Sequence, residues 1–272
     1  MFNTLPRRGL FGARQPQPAP PEAPLAPVEV AATPPEPAHE IATQPLTASS
    51  EAVATAAATT RTEVVSSTEL AAQLAARMCH DFISPAGAIT SGLDLLEDPS
   101  ASDMREEAMG LIQSSARKLV ELLAFSRVAF GASASAESFD TRALQTLTQG
   151  VFAHVRPELI WSVALPSVNK AAARAMLNMA QLAGSALPTG GAATVTATMA
   201  GDNILVQVEA RSQRVRLRPE VVSGLKGERL DGGLGGQWIQ AFYLSALVRE
   251  AGGVLEHHIA EDVMVLTARL PA

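Results

Sequence analysis

The sequence predicts a long helical hairpin followed by an α+β layer, and three observations lead there. Apolar residues recur at helical spacing from Ser66 to Glu97 and again from about Ser102 to Phe130, with a breaking segment between them. After Phe139, helical stretches alternate with short runs of period-two alternation. The first 62 residues carry neither pattern.

The hairpin is bounded by recognisable signals. "SSTEL" offers a Ser or Thr N-cap with an acidic residue in the first turn. "EDPSASD" ends the first helix, because Pro99 cannot continue it and Ser and Asp favour turns and caps. "GASASAES" ends the second. Two long helices joined by a short turn pack antiparallel. One pair cannot cover Phe82, Ile89, Leu93 and Leu96 together with Leu111, Leu119 and Leu122, so two hairpins are expected to form a dimeric four-helix bundle.

Downstream, a short helix is predicted over Thr141–Ala153, then a strand at "LIWSVAL" and a helix over about Lys170–Leu187. "TVTATMA" and "NILVQVEA" read as a strand pair around Gly201-Asp202-Asn203. A helix over about Gly236–Glu250 leads to "GVLEHHIA" and "VMVLTARL", again strand-like. Helices over one face of a sheet follow. The organisation is residues 1–62 as a disordered Pro/Ala-rich tail, 63–134 as the hairpin and 135–272 as the α/β domain.

Composition excludes several function classes. The net charge is −6 and there is no Lys/Arg-rich block in the body, which argues against nucleic acid. The single cysteine, Cys79, precludes an internal disulfide and fits a reducing compartment. No apolar run reaches the roughly 18 residues of a membrane helix, and the basic start lacks an apolar signal core. A cytoplasmic protein is expected.

Chemistry concentrates in "MCHDFISPAG", Met78–Gly87. With His80 at zero on a helical wheel, Phe82 falls at about 200°, Pro85 at about 140°, Ile89 at about 180° and Leu96 at about 160°. The apolar stripe is opposite His80. On the histidine's own side lie Gln73, Ala76, Ser84, Gly87 and Ser91, with Arg77 beside them. His80 is therefore exposed, either as a reactive group or as an ordinary surface histidine. The small neighbours would let a partner's backbone approach the ring. Asp81 either orients the imidazole or is a solvated charge. A metal site is disfavoured: Cys79 and His80 diverge by about 100° on a helix, and His257 and His258 point to opposite faces of a strand. Cys79, on the flank of the stripe, is expected to be a small packed residue.

His80-Asp81-Phe82-Ile83-Ser84-Pro85 resembles the phospho-acceptor box of two-component histidine kinases. The later part of the chain resembles their ATP-binding domain. Asn178 and Pro188-Thr189-Gly190-Gly191 match its asparagine box and closing glycines, and Gly232-Gly233-Leu234-Gly235-Gly236 matches its last glycine box. The departures from that pattern concern the nucleotide. Leu182 stands where the resemblance calls for the magnesium-holding asparagine, and Ala186 is again apolar. Ala210 replaces the adenine-reading aspartate, while Ser212 and Arg214 replace glycines. Glu209 is one residue out of register, on the opposite face of the strand.

A kinase-like chain that keeps the histidine and loses the nucleotide site is similar to the histidine phosphotransferases of bacterial phosphorelays, with a degenerate ATPase-like domain. The resemblance implies that His80 accepts a phosphoryl group from the receiver domain of a hybrid histidine kinase (CckA in alphaproteobacterial cell-cycle signalling). His80 then passes it to response regulators such as CtrA and CpdR. Asp81 is given a tautomer or orientation role, and Gln73, Ala76, Arg77, Ser84, Gly87 and Ser91 a docking role. No cofactor is implied in this chain, and Mg2+ is expected on the receiver. The alternatives are an active histidine kinase with a divergent nucleotide site and a scaffold in which His80 is inert.

Overall fold

The computed structural model describes residues 65–131, 137–228 and 238–272. Both helices of the hairpin form. Helix α1 spans Ser67–Glu97, and Ser66 caps it by accepting from the amide of Glu69 at 3.0 Å. It runs unbroken through Pro85. Asp98 then stops the helix, and its Oδ1 accepts from Ser100 N at 2.8 Å. Pro99–Met104 winds as a 3-10 segment, so α2 covers Arg105–Ala129 and begins three residues later than the sequence implied. The two helices pack tightly at Gly92. A Cβ there would lie 2.6 Å from Ile112 Cγ1 and 3.1 Å from the carbonyl oxygen of Ala108, so a side chain would push the helices apart.

The α/β part contains strand β1 (Ser138–Asp140), helix α3 (Thr141–Phe152), β2 (Glu158–Val163) and β3 (Ser167–Asn169). These are followed by α4 (Lys170–Ser185), β4 (Ala192–Ala200), β5 (Asn203–Arg211) and α5 (Pro219–Leu225). Helix α6 (Trp238–Glu250), β6 (Val254–Ile259) and β7 (Val263–Pro271) complete it. The main sheet has the order β2-β4-β5-β7-β6; β2 and β4 pair parallel and the remaining neighbours antiparallel. β1 and β3 form a separate two-stranded ribbon. The inner face of β4, β5 and β7 is buried against α4, with Val195, Val206, Val208 and Leu266 fully covered. Strand alternation puts Ala210 inward and Glu209 outward, and Glu209 there receives a bond from Arg211 Nε at 3.0 Å.

Three elements escaped the sequence reading: β1, β3 and α5. The two strands are three residues each, too short for alternation to register. Helix α5 is only seven residues long, too short for helical spacing to register, and its Pro219 sits at the first turn, where proline is compatible with a helix. The tail (1–62), the Gly232–Gly236 run and the start of the last helix at Gly236 lie outside the described residues.

Hairpin and sheet domain share one core. Phe125 and Ala129 of α2 are buried in the same cluster as Leu144, Met176, Leu177 and Leu266. A second cluster joins Leu74 of α1 to Ile239 and Phe242 of α6. The end of α2 is also tied by polar bonds. The carbonyl of Ala129 accepts from Asn178 Nδ2 at 3.0 Å and from the Tyr243 hydroxyl at 3.4 Å, and the carbonyl of Gly131 accepts from Arg174. Burial pushes the Tyr243 phenol above its usual range, which keeps it a donor.

The apolar stripe of α1 is only partly covered. Leu74, Pro85 and Gly92 are buried, whereas Phe82 and Ile89 are half-buried and Leu93 is exposed. The face that meets α2 centres at about 130° from His80 on the wheel, near the angles of Leu74, Pro85 and Gly92. Cys79 falls outside that face and is exposed, contrary to the expectation that it packs.

Candidate functional site

His80 sits midway along α1 with its side chain 86% exposed. Its Nδ1 lies 3.5 Å from Asp81 Oδ1. The other carboxylate oxygen, Oδ2, accepts from Nε of Arg77 one turn earlier at 3.2 Å. Arg77 thus fixes Asp81, and Asp81 turns one oxygen toward the ring. At 3.5 Å this is an electrostatic bias rather than a strong hydrogen bond. It favours the neutral tautomer with its proton on Nδ1, which leaves the lone pair on Nε2, the nitrogen farther from the backbone.

The imidazole stands between two hollows where the hairpin meets the sheet domain. One, of about 420 Å³, is walled by Gln73, Ala76, Arg77 and Asp81 of α1, Arg218 ahead of α5 and Trp238 at the start of α6. The indole Nε1 of Trp238 is buried and has no hydrogen-bond partner among the described residues. The other hollow, of about 280 Å³, is walled by His80 and Ser84, by Lys118 and Leu122 of α2, and by His154 and Val155 just beyond α3. A third, of about 410 Å³, adjoins through Arg77; Leu182, Ser185, Arg216 and Arg218 line it. Arg216 and Arg218 are exposed and have no ion-pair partner among the described residues.

The residues singled out from the sequence therefore separate into groups. Gln73, Ala76 and Arg77 flank the first hollow and Ser84 the second. Gly87 and Ser91 lie farther along the exposed side of α1, and a Cβ at Gly87 would meet nothing within 4 Å. Sequence reasoning did not find Lys118, His154, Arg218 or Trp238. They come from four separate segments, and no spacing links them to His80. The "RVRLR" run, Arg214–Arg218, was the one signal present, since its alternating cations put Arg216 and Arg218 on one side of an extended chain.

The residues matched to a nucleotide site in the sequence make the following contacts. Asn178 is fully buried. Its amide donates to the carbonyls of Ala129 and Arg174, and its oxygen accepts from Gln240 Nε2 at 3.1 Å. Leu182 is 3% exposed and Ala210 fully covered. Gly191, at φ 127°, is required by packing: a Cβ would stand 2.4 Å from the carbonyl oxygen of Arg211.

Comparisons with known proteins agree on the family. A family model described as the histidine phosphotransferase C-terminal domain matches residues 141–263. The chain is 34% identical to "Protein phosphotransferase ChpT" of Brucella abortus (strain 2308), over 74% of this chain and 95% of that one. A solved bacterial phosphotransferase superposes with a TM-score of 0.68 at 32% identity, covering 75% of this chain and 97% of that one. The helical hairpin with its exposed histidine, the sheet domain and these matches coincide: the chain belongs to the ChpT-type histidine phosphotransferase family.

Proposed function

We propose that His80 carries a phosphoryl group between receiver domains, and that this chain does so without binding ATP. The observation that supports it most is the state of the imidazole: exposed on a helix, with Nδ1 facing a carboxylate held by Arg77 and Nε2 turned outward. In the accepting step, the Nε2 lone pair attacks the phosphorus of the receiver's aspartyl phosphate. The P–O bond breaks and its electron pair returns to the aspartate, while the P–N bond forms. The ring then carries the Nδ1 proton as a cation opposite Asp81. Donation to the next receiver reverses each event. Mg2+ and the acceptor carboxylate belong to the receiver, so this chain contributes the nucleophile and the docking surface.

Docking has two sides in this reading. Ala76, Ser84, Gly87 and Ser91 leave space above α1 for a receiver's helix. Arg216 and Arg218, exposed on the sheet domain beside the Arg77 end of this surface, suit the acidic edge around a receiver's phosphorylated aspartate. The donor is the receiver of a CckA-like hybrid kinase and the acceptors are CtrA-like and CpdR-like regulators.

The working unit is a homodimer built on the hairpin. Ile83 is 70% and Val120 65% exposed, and Leu93, Met109 and Leu123 are exposed with them, apolar side chains that a partner hairpin would cover. Two hairpins would bury it in a four-helix bundle. This reading places the relay in the cytoplasm; no described helix is long and apolar enough to cross a membrane.

The test is to incubate the purified chain separately with radiolabelled ATP and with a receiver domain bearing labelled aspartyl phosphate. Label only in the second mixture, on a histidine, supports the reading. Label from ATP alone indicates a kinase, and label in neither an inert scaffold.

A further inference from the structure

Lys118 lines the hollow that contains His80. One turn on, at i+3, stands Glu121, the carboxylate that a lysine on a helix ordinarily meets. Glu121 is engaged elsewhere: its Oε2 is 2.5 Å from Nε2 of His154, just beyond α3. Against a carboxylate that nitrogen donates. Gly150 makes room for the arrangement, since a Cβ there would lie 3.2 Å from Glu121 Cγ. The two side chains are only 22% and 29% exposed, so the bond is less screened than a surface pair. Asp81, the other carboxylate of the hollow, is held by Arg77. Lys118 is left without an ion-pair or hydrogen-bond partner among the described residues.

We propose that Lys118 is the counter-charge of the phosphoryl group carried on His80, and that His154 keeps Lys118 available by holding Glu121. The inference rests on His80 being the phosphoryl acceptor. A phosphoryl group at neutral pH carries a charge of about −1.5 to −2 and three strong acceptor oxygens. On the receiver, Mg2+ balances that charge. Once the P–O bond to the receiver aspartate has broken and the P–Nε2 bond has formed, only this chain can balance it. Asp81, adjacent to the ring, opposes a second negative group. An ammonium on a flexible stem, entering from the neighbouring helix, supplies three donors to the phosphoryl oxygens. Its effect is on the position of the exchange: it holds the phosphoryl group on His80 against return to the receiver.

The experiment measures that position. The full-length protein is mixed with a receiver domain charged by acetyl phosphate in Mg2+, and the ratio of phospho-His80 to phospho-receiver is read at equilibrium. Lys118→Met is expected to lower the ratio about tenfold, the effect of one charge-assisted hydrogen bond, and Lys118→Arg to keep most of it. His154→Gln frees Glu121 to pair with Lys118 and should lower the ratio several-fold; adding Glu121→Gln should restore it. Thermal midpoints are taken for each variant, and the His154→Gln and double-variant comparison carries the test if Lys118→Met does not fold. A wild-type ratio in Lys118→Met, or no recovery on adding Glu121→Gln, overturns the proposal. If wild type takes label and Lys118→Met matches it, Lys118 alone is removed from the account. If wild type takes no label, the acceptor reading fails and this inference falls with it.

Discussion

Asn178 donates a hydrogen bond of 3.0 Å to the carbonyl oxygen of Ala129, the last residue of α2. An asparagine that the sequence placed in a nucleotide box fastens the hairpin to the sheet domain, while Gln240 of α6 donates to its oxygen. Asn178→Ala leaves buried polar groups without partners and is expected to cost about 2–3 kcal/mol of stability. Urea unfolding checks this; a loss within about 0.5 kcal/mol, the range of surface substitutions, would contradict it.

Restoring the carboxylate at Ala210 should not restore a nucleotide site. Ala210 is fully covered on the inner face of β5, opposite Ala193 and Met264. Ala210→Asp buries an unpaired charge and is expected to destabilise by about 3–5 kcal/mol. Calorimetric titration of the wild-type chain with magnesium and ATP should give no binding heat. A micromolar constant would revive the kinase reading.

The uncovered apolar face predicts the assembly. Ile83→Asp combined with Val120→Asp should convert a dimer into a folded monomer, since both positions are exposed in the single chain. Light scattering at micromolar concentration reads the outcome. A wild-type monomer would refute the bundle.

Docking is tested from both sides of His80. Gly87→Trp meets open space in the free protein and should slow phosphoryl acceptance by obstructing the approach of a receiver. Arg216→Glu with Arg218→Glu should slow it at least tenfold at low salt, less at high salt, as expected for electrostatic steering. Rapid-quench transfer kinetics decide; normal rates in either variant misplace that side of the surface. Cutting the chain after the hairpin is a poorer test, because Phe125 and Ala129 belong to the shared core.

The hairpin, most of the sheet and the exposure of His80 were legible because helical and strand periodicities are local properties of the sequence. The cap at Ser66 and the opposite facing of Glu209 and Ala210 came from the same kind of reasoning. Cys79 was misjudged because a helical wheel locates a stripe without saying which part of it a neighbour covers; α2 covers the Leu74–Pro85–Gly92 side. The walls around His80 were not legible. Lys118, His154, Arg218 and Trp238 meet only when four segments pack together, and that register is a tertiary property. The role of Asn178 was hidden for a related reason: what an amide bonds to depends on which carbonyl folding brings to it.

The account stands on His80 as the phosphoryl carrier, and the most direct measurement is label transfer from a phosphorylated receiver to the wild-type chain and to His80→Ala. Because the side chain is 86% exposed, the substitution should leave the unfolding free energy within about 0.5 kcal/mol. The expected result is acid-labile label on the wild type, lost on adding a second receiver, and no label on a fully folded His80→Ala. A folded His80→Ala that takes up label at the wild-type rate would contradict the account.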